Sequence, residues 1–344
     1  MTAVAAFVAV LAGLVTAGCG DPRAGGRIAA VRPVYPPYPN LPVVTAAPKF
    51  QNAIDSAHVH GLRVWLESDL VARWRAGSAQ FELAVGQLAS LAARPGVVGI
   101  KIADELGSKG GLSRKDIMRF LRDSRAALHA NAPGKLILID IIGYQLGCAP
   151  RLAIVHRQSA TCNAKQRAAH PAVTLATIDA IVASGYVDVI DLTTNMDEPG
   201  VYQSWGITRA QAQRAAFAEA HRRGWDSRIR LQTRKALAFP TQRIPGAATA
   251  AALVPDFVDV PISAGVRAVD IWTFSQNYAG RRVHLTDPGL KPNVLWAALL
   301  VRRGEGDVLF THYSPSAGYG PSLSADMQAI ATVFTDVFCA AGTG

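Results

Sequence analysis

From Pro48 onward the chain alternates between two hydrophobic patterns. Short, nearly continuous apolar runs predict buried strands, and stretches with apolar positions every three or four residues predict amphipathic helices. The predicted strands are Leu62–Leu66, Val97–Ala103, Lys135–Ile142, Val187–Thr193, Arg228–Thr233, Arg267–Phe274 and Asp307–Thr311. Between and after them the pattern predicts helices over Phe50–His60, Ser78–Ala93, Ser113–Asn131, Thr174–Ser184, Thr208–Arg223, Ala247–Val260, Pro292–Arg303 and Ser322–Phe338. Ser113, Thr174 and Thr208 stand where an N-cap belongs, and Gly61, Gly185 and Gly224 where a helix stops. Alternating strands and helices imply parallel βαβ units. With Arg27–Tyr35 counted as a first strand, eight repeats result, which predicts a (β/α)8 TIM barrel over residues 48–344. The alternative is an open doubly wound α/β sheet, although no GxGxxG follows a strand.

Side chains alternate across a strand, so each strand splits into two rows. One row is aliphatic: Val64 and Leu66; Val98, Ile100 and Ile102; Ile137, Ile139 and Ile141; Ile190 and Leu192; Ile229 and Leu231; Val269 and Ile271. It should face the helices. The other carries Arg63, Trp65 and Glu67; Lys101 and Glu105; Asp140 and Tyr144; Asp191; Arg230, Gln232 and Arg234; Asp270, Trp272 and Gln276. It should face the barrel axis, where charges must pair. Those early in their strands read as structural ion pairs. Glu67, Glu105, Asp140, Asp191 and Gln276 stand near C-terminal strand ends, where barrels place their sites. In Arg94–Gly107, RPGVVGIKIADELG, the strand ends on two adjacent carboxylates. Alternation puts Glu105 with Lys101 on the axis side and leans Asp104 toward the rim.

The segment before the barrel changes the picture of where the protein works. Residues 3–17, AVAAFVAVLAGLVTA, form an apolar run too short to span a bilayer comfortably. Val15-Thr16-Ala17-Gly18-Cys19 then resembles a bacterial lipobox, which implies a signal peptide over residues 1–19 and lipidation of Cys19. Two departures are the lack of Lys or Arg before the apolar run and Thr16 where Leu is usual. Residues 20–47, rich in Pro and Gly, read as a tether and lead-in segment. Cys148 and Cys162 bracket a loop and predict a disulfide, worth about 3 kcal/mol in the chain-entropy model and suited to an oxidising compartment. Cys339 has no evident partner, and no Cys/His spacing matches a zinc site, so no metal and no cofactor is expected.

Composition adds exclusions. The 344 residues are 50% hydrophobic and 17% charged, enough for a large core. The formal charge of +10 comes from 35 Lys+Arg against 25 Asp+Glu, but the basic residues are dispersed. Nucleic-acid binding is therefore not expected, and a weak attraction to anionic envelope polymers or headgroups is the better use of the charge.

HGLRVWLE, followed one helix later by RPGVVGIKIADEL, resembles the glycoside hydrolase barrels of the clan A type. The resemblance implies Glu105 as the general acid, Asp104 as a neighbour touching the sugar, and Trp272 in IWTFSQ as a stacking platform. Three departures stand out. Leu106 replaces the usual Pro, Gln276 stands where a retaining enzyme often has its nucleophilic Glu, and the motif ends the third strand by this count rather than the fourth. Glycoside hydrolysis needs two carboxyls, ~5–5.5 Å apart for retention or ~6.5–9.5 Å for inversion. The second is left open among Asp140, Asp191 and Glu67. Tyr144, Trp65, Gln232, Gln276 and Asn277 join Asp104 and Trp272 as candidate sugar contacts, and Trp74, Trp205 and Tyr202 as further stacking candidates.

Two functions follow as expectations. One is an exported, lipid-anchored or secreted monomer that hydrolyses an envelope or extracellular polysaccharide. The other is a non-catalytic glycan-binding lipoprotein on a degenerate barrel. Carboxylates locked onto Lys or Arg would favour the second. A metal-dependent hydrolase is weaker, because the histidines fall mostly on helices or loops, and His58-x-His60 precedes its strand.

Overall fold

The computed structural model describes residues 38, 41–108, 111–226, 230–236, 253–278 and 281–343, with 230–236, Tyr278 and Arg281 described by their backbone. Cys19, residues 1–19, most of 20–47 and the Arg27–Tyr35 strand therefore lie outside the described residues, as does the side chain of Gln232.

The strands are β1 (Arg63–Glu67), β2 (Val97–Ala103), β3 (Leu136–Ile142), β4 (Val189–Thr193), β5 (Arg230–Ala236), β6 (Val269–Tyr278), β7 (Arg281–His284), β8 (Leu309–Tyr313) and β9 (Asp336–Ala340). They form one curled sheet in the order β5-β4-β3-β2-β1-β9-β8-β6-β7. Every pairing is parallel except β6 with β7. β5 pairs in parallel with β6 as well, Thr233 opposite Val269 through Ala236 opposite Trp272. A doubly wound sheet reverses its strand order at a switch point. Here the order steps through the chain without reversal, so the fold is α/β with a TIM-barrel-like, mostly parallel sheet.

One expectation is corrected. The last helix stops at Val333, and Phe334 is already extended (φ −103°, ψ 151°). Asp336–Ala340 is a strand, inserted between β1 and β8. The segment VFTDVFCA is short and mostly apolar, broken only by Thr335 and Asp336, and such a run reads equally well as a buried helix end. The aromatic and β-branched residues suit a pleated, buried strand, and two open neighbours decide it. β9 thereby joins β1 to β8.

Helices α1 (Pro48–Val59), α2 (Leu70–Arg75), α3 (Ser78–Ala92), α4 (Arg114–Asn131), α5 (His156–Ala169), α6 (Leu175–Ser184), α7 (Pro199–Ser204) and α8 (Arg209–Arg222) connect the strands up to β5. α4 and α8 start on capping boxes, Ser113 with Asp116 and Thr208 with Gln211. α6 starts on Thr174 and ends at Gly185, whose φ of +68° favours glycine. Val64, Leu66, Ile100, Ile139, Ile190 and Ile271 of the aliphatic row pack in one cluster with helix residues such as Leu88, Phe120 and Phe217, whereas Val98, where the β1–β2 register slips, packs against the cluster of Trp65 and Phe338 instead. Inside the curl is a second cluster: Trp65, Leu138, Val189, Ala268, Phe310 and Phe338. It fills the N-terminal half of the sheet's concave side and leaves the C-terminal half to polar residues.

Candidate active-site cleft

Two residues beyond five of the six apolar interior positions, the same row turns titratable: Glu67 after Trp65, Asp140 after Leu138, Asp191 after Val189, Asp270 after Ala268 and His312 after Phe310, with Ala340 after Phe338 the exception. Lys101 holds this layer together from the middle of β2. It is fully buried, and its Nζ lies 2.9 Å from Glu67 Oε1, 3.1 Å from Asp104 Oδ1 and 4.0 Å from Asp140 Oδ2. The ammonium also stands over the Phe338 ring, 5.5 Å from its centroid.

Glu67 is the end of β1, pinned by its neighbours on both sides. Ser68 donates its N–H and its hydroxyl to the Lys101 carbonyl, and Ala341 N–H donates to the Glu67 carbonyl. The carboxylate accepts from Lys101 and from His312 Nδ1, which is 2.9 and 3.0 Å from its two oxygens. His312 Nε2 faces Asp270 Oδ2 at 2.8 Å. Burial pushes the Glu67 carboxyl up, but the His312 and Lys101 charges outweigh it and hold the group far below the usual carboxylate range. For His312, burial works against the charged ring, and Asp270 and Glu67 overcome it, so its pKa is raised.

Above this layer opens a cleft of about 540 Å³, lined among others by Glu67, Asp69, Asp104, Gln276, Ser314 and Ser316. That size suits a small-molecule or sugar-unit site. Its β8 wall is fixed by buried Asp326, which accepts from the Tyr313 hydroxyl at 2.9 Å, Tyr319 N–H at 3.0 Å and Gly320 N–H at 2.6 Å.

The two adjacent acids separate in a way strict alternation does not give. The β2–β3 register slips between Lys101 and Ala103, so Lys101 faces Leu138 and Ala103 faces Ile139. Ile102 and Ala103 both point outward into the helix-facing core. The irregularity shifts the alternation by one. Asp104 thereby turns inward onto Lys101 and lines the cleft. Glu105 takes a left-handed φ of +47° and is not among the cleft-lining residues.

The other predicted residues divide by depth. Asp140 and Asp191 are fully buried, opposite each other in register, and lie beneath the cleft floor. The backbone of Gln232 pairs with Asp191. Trp65 is in the apolar layer and donates from Nε1 to Asp336 Oδ1 at 2.9 Å, so its ring is packing. Tyr144 stacks on His170, with centroids 3.4 Å apart and planes at 1°. Trp272 is buried and donates to Gln276 Oε1 at 2.5 Å, which ties it to the cleft through that amide. Exposed Asn277 donates to the Ser316 carbonyl at 3.4 Å. Trp74 donates to Asp123, and Tyr202 and Trp205 pack against each other. Cys148 and Cys162 are disulfide-bonded, with Cα atoms 5.5 Å apart, and brace the loop after β3. Cys339 is a buried free thiol pushed up to about 12 by burial and then by Glu67.

Sequence reasoning missed His312, because the predicted strand stopped at Thr311. Extending the alternation of LFTHY by one residue would have put His312 in the row of Phe310. Among the described residues no group of three or more His, Cys, Asp or Glu is arranged to hold a metal ion, and no helix is long and apolar enough to cross a membrane.

No protein-family model matches the chain, and no curated protein matches it either. Solved structures do. The carboxyl transferase domain of Rhizobium etli pyruvate carboxylase with pyruvate and biocytin is similar at 13% identity and a TM-score of 0.41, covering 91% of this chain and 46% of that one. A second structure of the same domain gives 11%, 0.37, 93% and 48%. An endo-1,4-beta-mannanase from Eisenia fetida gives 12%, 0.33, 70% and 72%. The chain thus spans under half the length of the carboxylase chains it matches. At these identities and TM-scores the likenesses carry no functional argument.

Proposed function

We propose that this chain is an exported glycan-binding protein on a (β/α)8 barrel, anchored through Cys19, whose cleft holds a polysaccharide of the cell envelope or surroundings. The β5–β6 pairing supports a closed barrel. The Cys148–Cys162 bridge is compatible with an oxidising compartment. The carrying observation is the state of the cleft acids. Glu67 and Asp104 share the Lys101 ammonium, and Glu67 also takes the His312 ring. A carboxylate held so far down stays ionised, so it can accept from sugar hydroxyls and is a poor proton donor. General-acid cleavage needs the opposite, a carboxyl whose pKa is raised. Hydroxyls of Ser314 and Ser316 and the amide of Gln276 complete a polar lining, with Phe50 as its aromatic face.

The strand-end motif favours a second reading, glycoside hydrolysis with Glu105 as acid and Glu67, Asp140 or Asp191 as partner. One screen separates them. The protein is run through gels containing bacterial and plant polysaccharides, and the same polysaccharides are assayed for new reducing ends. Retardation lost in Glu67→Ala, without new reducing ends, is expected. Reducing ends that vanish in Glu105→Gln would establish the enzyme instead, and no retardation by any polysaccharide would remove the binding proposal.

A further inference from the structure

Both ring nitrogens of His312 face carboxylate oxygens: Nδ1 meets the two oxygens of Glu67 at 2.9 and 3.0 Å, and Nε2 meets Asp270 at 2.8 Å. An ionised carboxylate only accepts, and a neutral imidazole has a single N–H. A neutral ring would therefore turn one lone pair toward an anion. A ring carrying both protons donates at both ends, and the surroundings fix it in place. One ring face stacks on Phe338, with centroids 4.6 Å apart at 28°, and the His312 carbonyl accepts from Thr273 Oγ1 at 3.0 Å.

We infer that His312 is the positioning residue of the cleft, an imidazolium clamped by Asp270 that fixes where the Glu67 carboxylate stands. This deepens the glycan-binding reading and rests on it for its biological meaning. Asp270 on β6 anchors the ring, the ring aims at Glu67 on β1, and Lys101 on β2 takes the same carboxylate from another strand. The remaining titratable groups of this layer are accounted for. Asp104 and Asp140 lie against Lys101, Asp191 stands opposite Asp140 in register, and the Cys339 thiol, on β9, is kept neutral by burial and by the Glu67 charge. Glu67 thus stays an ionised acceptor in one orientation, rather than a side chain that sways between protonation states at the mouth of the cleft.

A histidine that merely fills space would leave the Glu67 titration alone, which gives the test. The full chain is labelled with 15N-histidine and carboxyl-13C glutamate, and NMR titrations need no polysaccharide, so this inference and the glycan-binding reading fail separately. In the wild type the His312 nitrogens, assigned by their loss in His312→Gln, should stay doubly protonated at pH 8, where an unperturbed histidine has lost its proton at ~6.5. The Glu67 carboxyl should show no titration step down to pH ~3. In His312→Gln its midpoint should rise by at least one unit toward ~4.3. A wild-type His312 that becomes neutral near pH ~6.5, or a Glu67 titration unchanged by His312→Gln, would overturn the assignment. Should the variant fail to fold, the wild-type His312 ring is assigned instead by its through-space contact with the Phe338 ring, which separates it from His221, whose nitrogens meet Asp226 and the Ala264 carbonyl.

Discussion

The concave side of the sheet has two halves built from the same strands, and they solve burial by opposite means. The N-terminal half is Trp65, Leu138, Val189, Ala268, Phe310 and Phe338, packed without a charge. The C-terminal half, two residues further on, is Glu67, Asp140, Asp191, Asp270 and His312 around Lys101. The first excludes water and gains in proportion to the apolar area it hides. The second trades solvation for pairing and is stable while every partner is present. A strand can serve both because its side-chain period is two, so one row runs from packing into chemistry without changing face. The lesson is that polar burial along this row gathers at the end of the sheet where ligands bind in parallel α/β folds, while the opposite end buries one carboxylate, Asp336, under Arg63 and Trp65.

Removing the cation from the charged half should have the largest effect. Lys101→Met takes one cation away from Glu67, Asp104 and Asp140 together and should cost about 3–5 kcal/mol in urea unfolding at pH 7. The deficit should shrink toward pH ~4, as the carboxyls take up protons. Leu138→Ala, in the apolar half, should cost ~2–5 kcal/mol, the same at both pH values. Equal pH behaviour of the two variants would erase the distinction between the halves.

The third test uses the wild type. Glu67 has a depressed folded pKa, so its contribution is present above its unfolded value of ~4.3 and is lost as pH falls through the folded value. His312 has a raised one, so its contribution is full below ~6.5 and is lost as pH rises through the folded value. The charged half should stabilise most between pH ~5 and ~6.5, and His312→Gln should flatten the alkaline limb of the unfolding midpoint. The smallest change is expected at Glu105→Gln, which lies outside the cleft lining: within ~0.5 kcal/mol of wild type, with gel retardation unchanged.

Most of the sheet was legible because its strands carry aliphatic rows, which in β3 and β4 fix the register without a slip. The site was half legible. Glu67 and the charged row follow from alternation, but which of Asp104 and Glu105 enters the cleft depends on one irregularity opposite Ile139, and such slips have no mark in the sequence here. β9 was hidden because its apolar residues run on from those of the helix before it, and with it Asp336, which holds Arg63 and Trp65 from the neighbouring strand. His312 escaped by one residue of strand length.

Gly99 has a consequence of another kind. A side chain there would start 2.3 Å from the Trp65 ring, so the indole occupies the room of two positions in the apolar half. With that ring bonded to Asp336 and flanked by Phe310 and Phe338, the far end of the curl is stoppered. Whatever enters the cleft must back out through the same mouth, so the protein can hold a chain across its face or by one end but cannot be threaded.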